Sequence, residues 1–304
     1  MVKVSAIITT IGSDFVKEAI KSVKNQSYKN IEVIVCYDGD NFKEFKKLLD
    51  QNFNDLILLN VGPFNNANNA RQAGIIYAKG KYIALLDDDD YWHETHIEKH
   101  VIEAEKIGLD NLVLISNSIL ILGKKEVKIL PERYFNGRKE SVAEYLFCLK
   151  NKQKTLMQTS SFFFSKSVGL NYPFDTDLTL HQDYDWIIRI DESNQVFIKQ
   201  TGFNTSYYVI DTNVNSISKK SKAENSIQWA SKVLSNYPKF VTVDFLKNNT
   251  LWMLRNSSIF SIISNLLSIK KKFNLSFYES LPLFHKILIL KIKIKIKKIF
   301  KLSK

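Results

Sequence analysis

The sequence has few cysteines, prolines and glycines for its length. It contains two cysteines, five prolines and ten glycines in 304 residues. Cys36 and Cys148 cannot supply a disulfide framework or a cysteine metal cage, and their apolar neighbours predict buried free thiols in a reducing compartment. No internal repeat is present, and no Pro- or Gly-rich linker marks a domain boundary. A small disulfide-stapled fold and a repeat protein are therefore excluded.

Long apolar runs and a recognisable amino-terminal signal are also lacking. No run reaches the roughly 18 apolar residues that predict a membrane-spanning helix. The first residues lack the charged start, apolar stretch and cleavage site of a signal peptide, so we expect a cytoplasmic protein. With 45% hydrophobic and 24% charged residues, the composition is that of a folded globular protein. Any membrane contact is then expected to be peripheral.

Acidic residues are nearly absent from the carboxyl-terminal region. From Lys270 onward there are eleven lysines and one acid, Glu279, which accounts for +10 of the net charge of +12. The alternation KIKIKIK at 291–297 has the period of a strand rather than of a helix. Lysines attract anionic lipid and isoleucines enter the interface, so we expect the tail, residues 283–304, to lie peripherally on the inner face of a membrane. A frayed basic end is the alternative.

Short apolar segments alternate with helix-length segments in the first part of the chain. The strand-like segments are 2–8, 31–37, 55–60 and 81–86, and the helical ones are 14–25, 42–50 and 67–79. This alternation predicts an α/β fold with a mixed, mostly parallel sheet flanked by helices. Ligands of such sheets bind outside the carboxyl ends of the strands.

Four consecutive aspartates, 87–90, follow the fourth of these strands. Two carboxylates about 5 Å apart repel by roughly 3 kcal/mol at an effective dielectric of about 20. A bound divalent cation removes that repulsion, so a metal site is favoured over a solvated acidic turn. Asp38 follows the second strand, where it is either an ordinary turn residue or a hydrogen-bond acceptor for a base or ribose.

The pattern changes after His96. We expect a helix over 94–107, strands over 112–122 and 160–165, and a helix that begins in the segment HQDYDWIIRI with Asp183 and Asp185 in its first turn. A polar loop then leads to a helical region over 221–267.

The ordered segments VSAIITT, EAIKSVKNQSYKNIEVIVCYDGD, NNARQAGIIYAKGKYIALLDDDDYW and HQDYDWIIRI together resemble the family 2 glycosyltransferases of GT-A fold. The resemblance covers about residues 1–215 and implies a GT-A domain there, with a nucleotide-sugar-binding half (1–110) and an acceptor-binding half (111–215). Residues 216–304 are expected to form a mostly helical extension that ends in the basic tail.

The resemblance also implies the residues of the site. They are Thr9, Asp38, Arg71, Asp87 and Asp88 around the nucleotide sugar, Asp89 as ligand of Mn²⁺ or Mg²⁺, and Asp183 as the catalytic base of an inverting enzyme. Four positions depart from the family pattern near the base and ribose, namely Ile11, Tyr37, Asp40 and Gln72. These departures leave the nucleotide as the least specified part of the donor, and a uridine diphosphate sugar is taken only as the default.

This residue set suits sugar transfer. A cation at Asp89 stabilises the charge on a departing diphosphate, and Asp183 can take the proton of the acceptor hydroxyl. A structural alternative stays open for each acid. Asp183 could be present because the helix dipole favours an acid in the first turn, and Asp185 could pair with Arg189 four residues later.

The histidines and one loop give further candidates. His96 and His100 have helical spacing and could form a zinc pair, but HExxH order is absent and we expect a solvated helix face. His181 could contact acceptor or phosphate. The loop 211–218 could close over the donor, with Asp211 or Asn215 completing the metal shell.

The sequence thus predicts a metal-dependent inverting glycosyltransferase, transferring a hexosyl or N-acetylhexosaminyl group to a glycan or lipid-linked acceptor in cell-surface polysaccharide synthesis. One alternative is a non-enzymatic basic protein that docks anionic membrane or nucleic acid through its lysines, although no aromatic-interleaved basic patch lies outside the tail and we expect no nucleic acid. The other is a nucleotidyltransferase, but no Gly/Arg/Lys-rich triphosphate loop follows the first strand.

Overall fold

The structure is a computed structural model that describes residues 1–123, 125–210, 223–251, 254 and 259–302, with the backbone alone at 259–261 and 290–302. The chain divides into two compact units, Met1–Val142 with Asn151–Asn213, and Ala143–Lys150 with Val214–Lys304. Residues 143–150, expected in the acceptor-binding half, thus belong to the second unit. The functional roles of the ranges stay predictions.

Among the described residues, nine strands form one sheet in the first unit. They are β1 (Val4–Thr10), β2 (Ile31–Tyr37), β3 (Leu56–Asn60), β4 (Tyr82–Asp87), β5 (Tyr91–Trp92), β6 (Leu112–Leu122), β7 (Lys125–Leu130), β8 (Phe162–Ser165) and β9 (Phe197–Ile210). The order is β3-β2-β1-β4-β8-β6-β9-β5, with β7 paired to β6. Neighbours from β3 to β4 are parallel and β8 is antiparallel to both β4 and β6. The predicted mixed, mostly parallel sheet is confirmed.

The helices of the first unit are α1 (Val16–Lys24), α2 (Phe42–Asp50), α3 (Ala67–Tyr77), α4 (His96–Ile107), α6 (Lys166–Asn171) and α7 (Gln182–Ser193), and α5 (Val142–Phe147) lies almost entirely in the second unit. Every residue of β1 is buried, because a central parallel strand is covered by helices on both faces. This is why its sequence is almost continuously apolar.

The strand register brings the predicted ligand positions to one edge of the sheet. Thr9 pairs with Cys36 of β2 on one side and with Asp87 of β4 on the other. The carboxyl ends of these three strands therefore meet, as the sequence predicted. Both cysteines are buried free thiols, also as predicted.

The long strand β9 was not predicted from sequence. It runs parallel to β6 along most of its length, and the register shifts where Gly202, with φ of 76°, interrupts the strand. Its alternation is irregular, so its strand conformation depends on pairing with β6, which is distant in sequence. Val209 and Ile210, the first two residues of the segment expected to form the polar loop, belong to β9. The predictions for residues 211–218 lie outside the described residues.

The second unit is helical. Its longer helices are α8 (Ala223–Val233), α9 (Lys239–Phe245), α10 (Ile259–Lys272) and α11 (Phe277–Leu302). Phe147, Trp229 and Phe245 pack together with ring centroids 4.8 to 6.2 Å apart. This aromatic cluster holds residues 143–150 to the helices of the same unit.

The alternation KIKIKIK predicted the period of a strand for the basic tail. This prediction is wrong, because α11 continues through the tail to Leu302. A lone strand leaves its backbone groups without partners, whereas a helix satisfies them locally, and lysine is a good helix former. Ser276 and Glu279 start the helix as a capping box, each side chain bonding the other's backbone amide. In the described part of the chain, none of the helices combines the length and apolar character needed to cross a bilayer.

Candidate active site

The first aspartate after β4 is held by residues from two other elements. Arg71 of α3 donates from Nη2 to Oδ1 of Asp87 at 2.7 Å, and the Thr9 hydroxyl lies 3.4 Å from the same oxygen. The Asp87 amide donates to the Ser160 hydroxyl at 3.1 Å. Asp87 is thus fixed in position while remaining partly open to solvent.

The second aspartate organises the loop between β1 and α1. Oδ2 of Asp88 accepts hydrogen bonds from the hydroxyls of Thr10 and Ser13, and the Gly12 amide donates to Thr10 Oγ1 at 2.8 Å. Burial, and to a lesser extent the charge of Asp87, raise the pKa of Asp88 while the two hydroxyl donors lower it. The carboxylate therefore ties this loop to the acidic turn.

The third aspartate is open to solvent. No other described residue donates a hydrogen bond to the Asp89 carboxylate. Desolvation by the neighbouring protein atoms, and then the like charges of Asp87 and Asp88, raise the pKa of Asp89 to about 7. A carboxylate in this state is stabilised by any cation that approaches it.

The fourth aspartate has a structural role that sequence reasoning missed. Asp90 is 2% exposed, its Oδ2 accepts from the Ser160 hydroxyl at 2.7 Å, and its Oδ1 accepts from the Val209 amide at 2.9 Å. Burial raises the pKa of Asp90 well above its ordinary value, and the charges of Asp89 and Asp87 add to this. Asp90 therefore joins the acidic turn to β9 and does not face a ligand.

Asp38, at the end of β2, secures the loop that leads into α3. Its two carboxylate oxygens accept from the Asn65 and Asn66 amides at 2.7 and 2.8 Å. Gly62 permits this close approach, since a Cβ there would lie 2.8 Å from the Asp38 carbonyl carbon. Asp38 is buried at the same sheet edge as Thr9, and its contact with a nucleotide base stays a prediction.

Arg71 connects the acidic turn to the start of α7. Besides its ion pair with Asp87, it donates from Nη1 to Gln182 Oε1 at 3.0 Å and to Asn68 Oδ1 at 3.1 Å. It is buried, and its guanidinium lies 5.8 Å from the centre of the Phe174 ring. Gln182 was not identified from sequence, because only the fold brings it to Arg71.

The two acids in the first turn of α7 have different surroundings. Asp185 is buried and accepts from Arg189 Nε at 2.8 Å, which confirms the predicted pair. Asp183 has no ion-pair partner among the described residues, and its Oδ1 accepts from the Tyr184 amide at 2.9 Å. Burial, with a smaller contribution from Asp87, raises the pKa of Asp183 to about 6, against the opposing effects of the Tyr184 amide and Arg71. Asp183 is thus ionised near neutral pH and able to accept a proton.

Two further side chains border these carboxylates. His181, at the start of α7, stacks on Tyr184 with ring centroids 5.9 Å apart, and burial lowers its pKa to about 4. A neutral imidazole at pH 7 is compatible with the predicted contact to acceptor or phosphate, which stays a prediction. Tyr208 of the unpredicted β9 has its pKa raised to about 12 by burial and by the charges of Asp90 and Asp183. Its hydroxyl therefore remains a hydrogen-bond donor beside these carboxylates.

The expected solvated face of α4 is wrong, because His96 and His100 are fully buried. His96 Nδ1 pairs with the Thr205 hydroxyl at 2.9 Å and His100 Nδ1 with the His96 carbonyl at 2.7 Å. Their rings stack between Trp92 and Phe163. Burial lowers the pKa of both, that of His100 to about 4. They are core residues, and β9 supplies the hydroxyl partner that sequence reasoning could not foresee.

The residues of the acidic turn fit a hard divalent cation as one part of its shell. Across the described residues, no three His, Cys, Asp or Glu side chains form a preformed cage. Mg²⁺ and Mn²⁺ are typically held by one or two carboxylates together with substrate phosphates and water. Asp89 offers such a carboxylate, which is open and unbonded by other described residues.

Comparison with known proteins agrees with this geometry. The family model described as glycosyl transferase family 2 matches residues 5–161. The chain is 28% identical over 225 residues to the amylovoran biosynthesis glycosyltransferase AmsB of Erwinia amylovora, covering 71% of this chain and 72% of AmsB. It is 36% identical over 110 residues to the Escherichia coli UDP-Glc:alpha-D-GlcNAc-diphosphoundecaprenol beta-1,3-glucosyltransferase WfaP, covering 34% of this chain and 43% of WfaP.

Solved structures establish the fold. The chain superposes on S. aureus TarS 1-349 in complex with UDP-GlcNAc with a TM-score of 0.66 at 12% identity, covering 97% of this chain and 92% of that one. A mannosyltransferase from Pyrobaculum calidifontis, in complex with GDP-Man and Mn²⁺, gives 0.56 at 13% identity, covering 99% and 88%. The fold is GT-A, as expected. The family model spans more than half of the chain, and the protein is a glycosyltransferase that belongs to family 2.

Proposed function

We propose that this enzyme transfers a hexosyl or N-acetylhexosaminyl group from a nucleoside diphosphate sugar, by default a uridine diphosphate sugar, to a lipid-linked saccharide or glycan. The observation that carries the proposal is the bridge made by Arg71. One guanidinium bonds Asp87 at 2.7 Å and Gln182, the neighbour of Asp183, at 3.0 Å. This bridge supports the proposal that the donor-side carboxylates and the candidate base act in one site.

The substrate classes are supported by the relatives. WfaP is named for a UDP-glucose donor and a diphosphoundecaprenol acceptor, and AmsB is named for amylovoran biosynthesis. TarS was solved with UDP-GlcNAc. A uridine diphosphate donor and a lipid-linked acceptor for a surface polysaccharide are accordingly the substrates to test first. Nucleotidyl transfer has no support among these relatives.

Asp89 is the residue proposed to hold Mn²⁺ or Mg²⁺, with Asp87 and Asp88 beside the ribose and diphosphate. When bound, the cation would supply Lewis-acid stabilisation of the departing diphosphate. The Mn²⁺ in the P. calidifontis mannosyltransferase supports this assignment. Thr9 and Asp38 are proposed to contact the base, since both lie at the same sheet edge.

Asp183 is proposed as the general base. With a pKa of about 6 it is ionised at neutral pH yet still basic enough to take a proton from an acceptor hydroxyl. Arg71 stabilises the ionised form of Asp183 electrostatically while its bond to Gln182 fixes the start of α7. Attack by the activated hydroxyl in a single displacement inverts the anomeric carbon.

The acceptor also suggests where the enzyme works. A diphosphate-linked lipid lies in a membrane, and the eleven lysines after residue 269 favour adsorption to anionic lipid. We therefore propose a peripheral location on the inner face of the membrane, with the basic tail 283–304 in contact with it. Residues 1–110 are proposed to bind donor and residues 111–215 to bind acceptor.

A donor screen tests the proposal. Purified protein with Mn²⁺ or Mg²⁺ is offered a panel of nucleotide sugars, and release of nucleoside diphosphate is measured for the wild type, Asp89→Ala and Asp183→Asn. Asp110→Ala and Asp110→Asn are matched controls, because Asp110 is exposed and outside the site. We expect metal-dependent turnover of one donor that is lost in both site variants and kept in the controls. Turnover that survives Asp183→Asn, or that needs no metal, would contradict the proposed mechanism.

A further inference from the structure

The last helix exposes large apolar side chains on one side. The exposed ones are Phe277 (62%), Tyr278 (81%), Leu281 (42%) and Leu288 (58%), and they define the outer stripe. The buried side chains of the same helix are Ser280, Leu283 and Ile287. The buried residues 280, 283 and 287 are three and four positions apart, so they share one side of the helix. The exposed residues 281 and 288 are seven positions apart and share the other side. Among the described residues, the helix thus packs on its own unit through one side and exposes the other.

The sequence continues the spacing of the outer stripe into the basic tail. Counting four, eight and eleven residues from Leu288 gives Ile292, Ile296 and Ile299. In a helix of 3.6 residues per turn, these positions share one side of the helix. The KIKIKIK segment, which alternates in sequence, therefore carries isoleucines at helical spacing as well.

Charge decides which partner fits this surface. Residues from 270 onward carry +10 and the whole chain +12. A second copy docked on the same stripe would bring two strongly basic segments together, which is unfavourable. An anionic bilayer complements these lysines, and its interface accommodates tyrosine, leucine and isoleucine side chains.

We propose that the outer stripe inserts into the interface of an anionic bilayer. The inference rests on the proposed function only insofar as a lipid-linked acceptor brings the enzyme to a membrane. It adds that attachment has an apolar component carried by named residues, and is not adsorption of the lysine tail alone. Vesicle binding must then have a salt-sensitive part from the lysines and a salt-resistant part from the stripe.

The test uses the full-length protein and sedimentation with vesicles of about 70% phosphatidylcholine and 30% phosphatidylglycerol, at about 0.15 and 0.5 M NaCl. The stripe variant is Tyr278→Ser, Leu281→Ser and Leu288→Ser, which changes no charge. The matched control is Ile102→Ser, Leu109→Ser and Leu170→Ser, three exposed aliphatic residues of the first unit.

We expect the stripe variant to lose about tenfold or more in partition at the lower salt and all detectable binding at the higher salt. The control should bind like the wild type. Wild-type binding by the stripe variant would overturn the proposal, as would a wild-type dimer that the stripe variant dissociates without lipid. Donor turnover in solution is measured in parallel, so a failed transferase assay and a failed membrane assay are read separately.

A second measurement does not depend on the triple substitution. Both native cysteines are buried, so Leu288→Cys gives a single reactive site for an environment-sensitive fluorophore. A blue shift on anionic vesicles, with none for the same label at Ile102→Cys, is expected from insertion. An unshifted spectrum at position 288 on vesicles that sediment the protein would refute insertion of the stripe.

Discussion

Replacing Asp183 by asparagine should make the enzyme more stable and nearly inactive. Burial raises the pKa of Asp183 from its ordinary value of 3.8 to about 6. The folded protein therefore binds a proton here more tightly than the unfolded chain does, and the ionised carboxylate destabilises the fold at neutral pH. Asparagine has nearly the same shape and carries no charge, so it removes this penalty together with the proposed base.

The expected gain in stability follows from the shift in the pKa of Asp183. A difference of about 2 pKa units corresponds to about 3 kcal/mol at pH 7. Asp183 is only partly buried, and water screens part of the penalty, so we expect a gain of about 1 to 3 kcal/mol in the free energy of unfolding. At roughly 2 °C per kcal/mol for a chain of this size, Tm should rise by about 2 to 6 °C. Loss of a general base should lower kcat by about 10²- to 10⁴-fold.

The pH dependence of the stability gain distinguishes removal of the Asp183 charge from a general improvement in packing. At pH 7 the carboxylate is charged in both folded and unfolded chains, and the penalty is present in full. As pH falls from about 6 toward 4 the folded protein takes up the proton, so the stability gain of the variant should shrink and vanish. The kcat of the wild type should decrease as the pH drops below about 6. The residual kcat of Asp183→Asn should not show this decrease.

Thermal unfolding of wild type and Asp183→Asn from pH 4 to 8 measures the difference, with nucleoside diphosphate release as the activity assay. Asp185→Asn is the matched control, because it removes the charged partner of Arg189 from a partly buried ion pair and should lower Tm. The reasoning is refuted if Asp183→Asn lowers Tm, if its gain is the same at pH 4 and pH 7, or if kcat falls less than about tenfold.

Three further predictions follow from the site and the core. Gln182→Ala should lower kcat by about ten- to a hundredfold with a smaller change in donor KM, because Arg71 loses the contact that fixes the start of α7. Steady-state kinetics of Gln182→Ala, with Gln182→Glu alongside, measure this, and an unchanged kcat for Gln182→Ala would disprove it. Asp90→Ala should cost about 2 kcal/mol in urea unfolding, since it leaves the buried Ser160 hydroxyl and the partly buried Val209 amide without their acceptor, and an unchanged urea midpoint would contradict it. Because burial lowers the pKa of His100 to about 4 and that of His96 well below its ordinary value, stability should fall as pH drops from about 6.5 to 4; His100→Phe should flatten that slope, and a slope equal to the wild type's would count against it.

The core of the sheet could be predicted because its signals are local. β1, β2 and β4 are buried apolar runs, and the polar residues at their carboxyl ends meet because parallel strands share one edge. The start of α7, with Asp183 and Asp185 in its first turn and Arg189 one turn later, follows from helical spacing alone. Several family motifs in order then identified the chemistry.

Other features depend on contacts between distant segments. β9 is irregular in sequence and forms because β6 provides a partner along its length. His96 and His100 occupy positions of an ordinary surface helix, yet contacts with Trp92, Phe163 and Thr205 of the sheet bury them. The tail alternates like a strand, but no strand among the described residues pairs with it, and it is part of α11, whose hydrogen bonds are internal.

The acidic turn shows most clearly what local sequence determines and what contacts between distant segments determine. The sequence by itself determined that four carboxylates follow a buried strand and that their mutual repulsion demands an explanation. Only the tertiary structure decided their separate roles, because each role depends on a partner remote in sequence: Arg71 for Asp87, the hydroxyls of Thr10 and Ser13 for Asp88, and Ser160 with Val209 for Asp90. Asp89 remains without such a partner among the described residues. Nonlocal hydrogen bonds and an ion pair thus offset part of the repulsion at three positions, and the fourth carboxylate is left for a ligand.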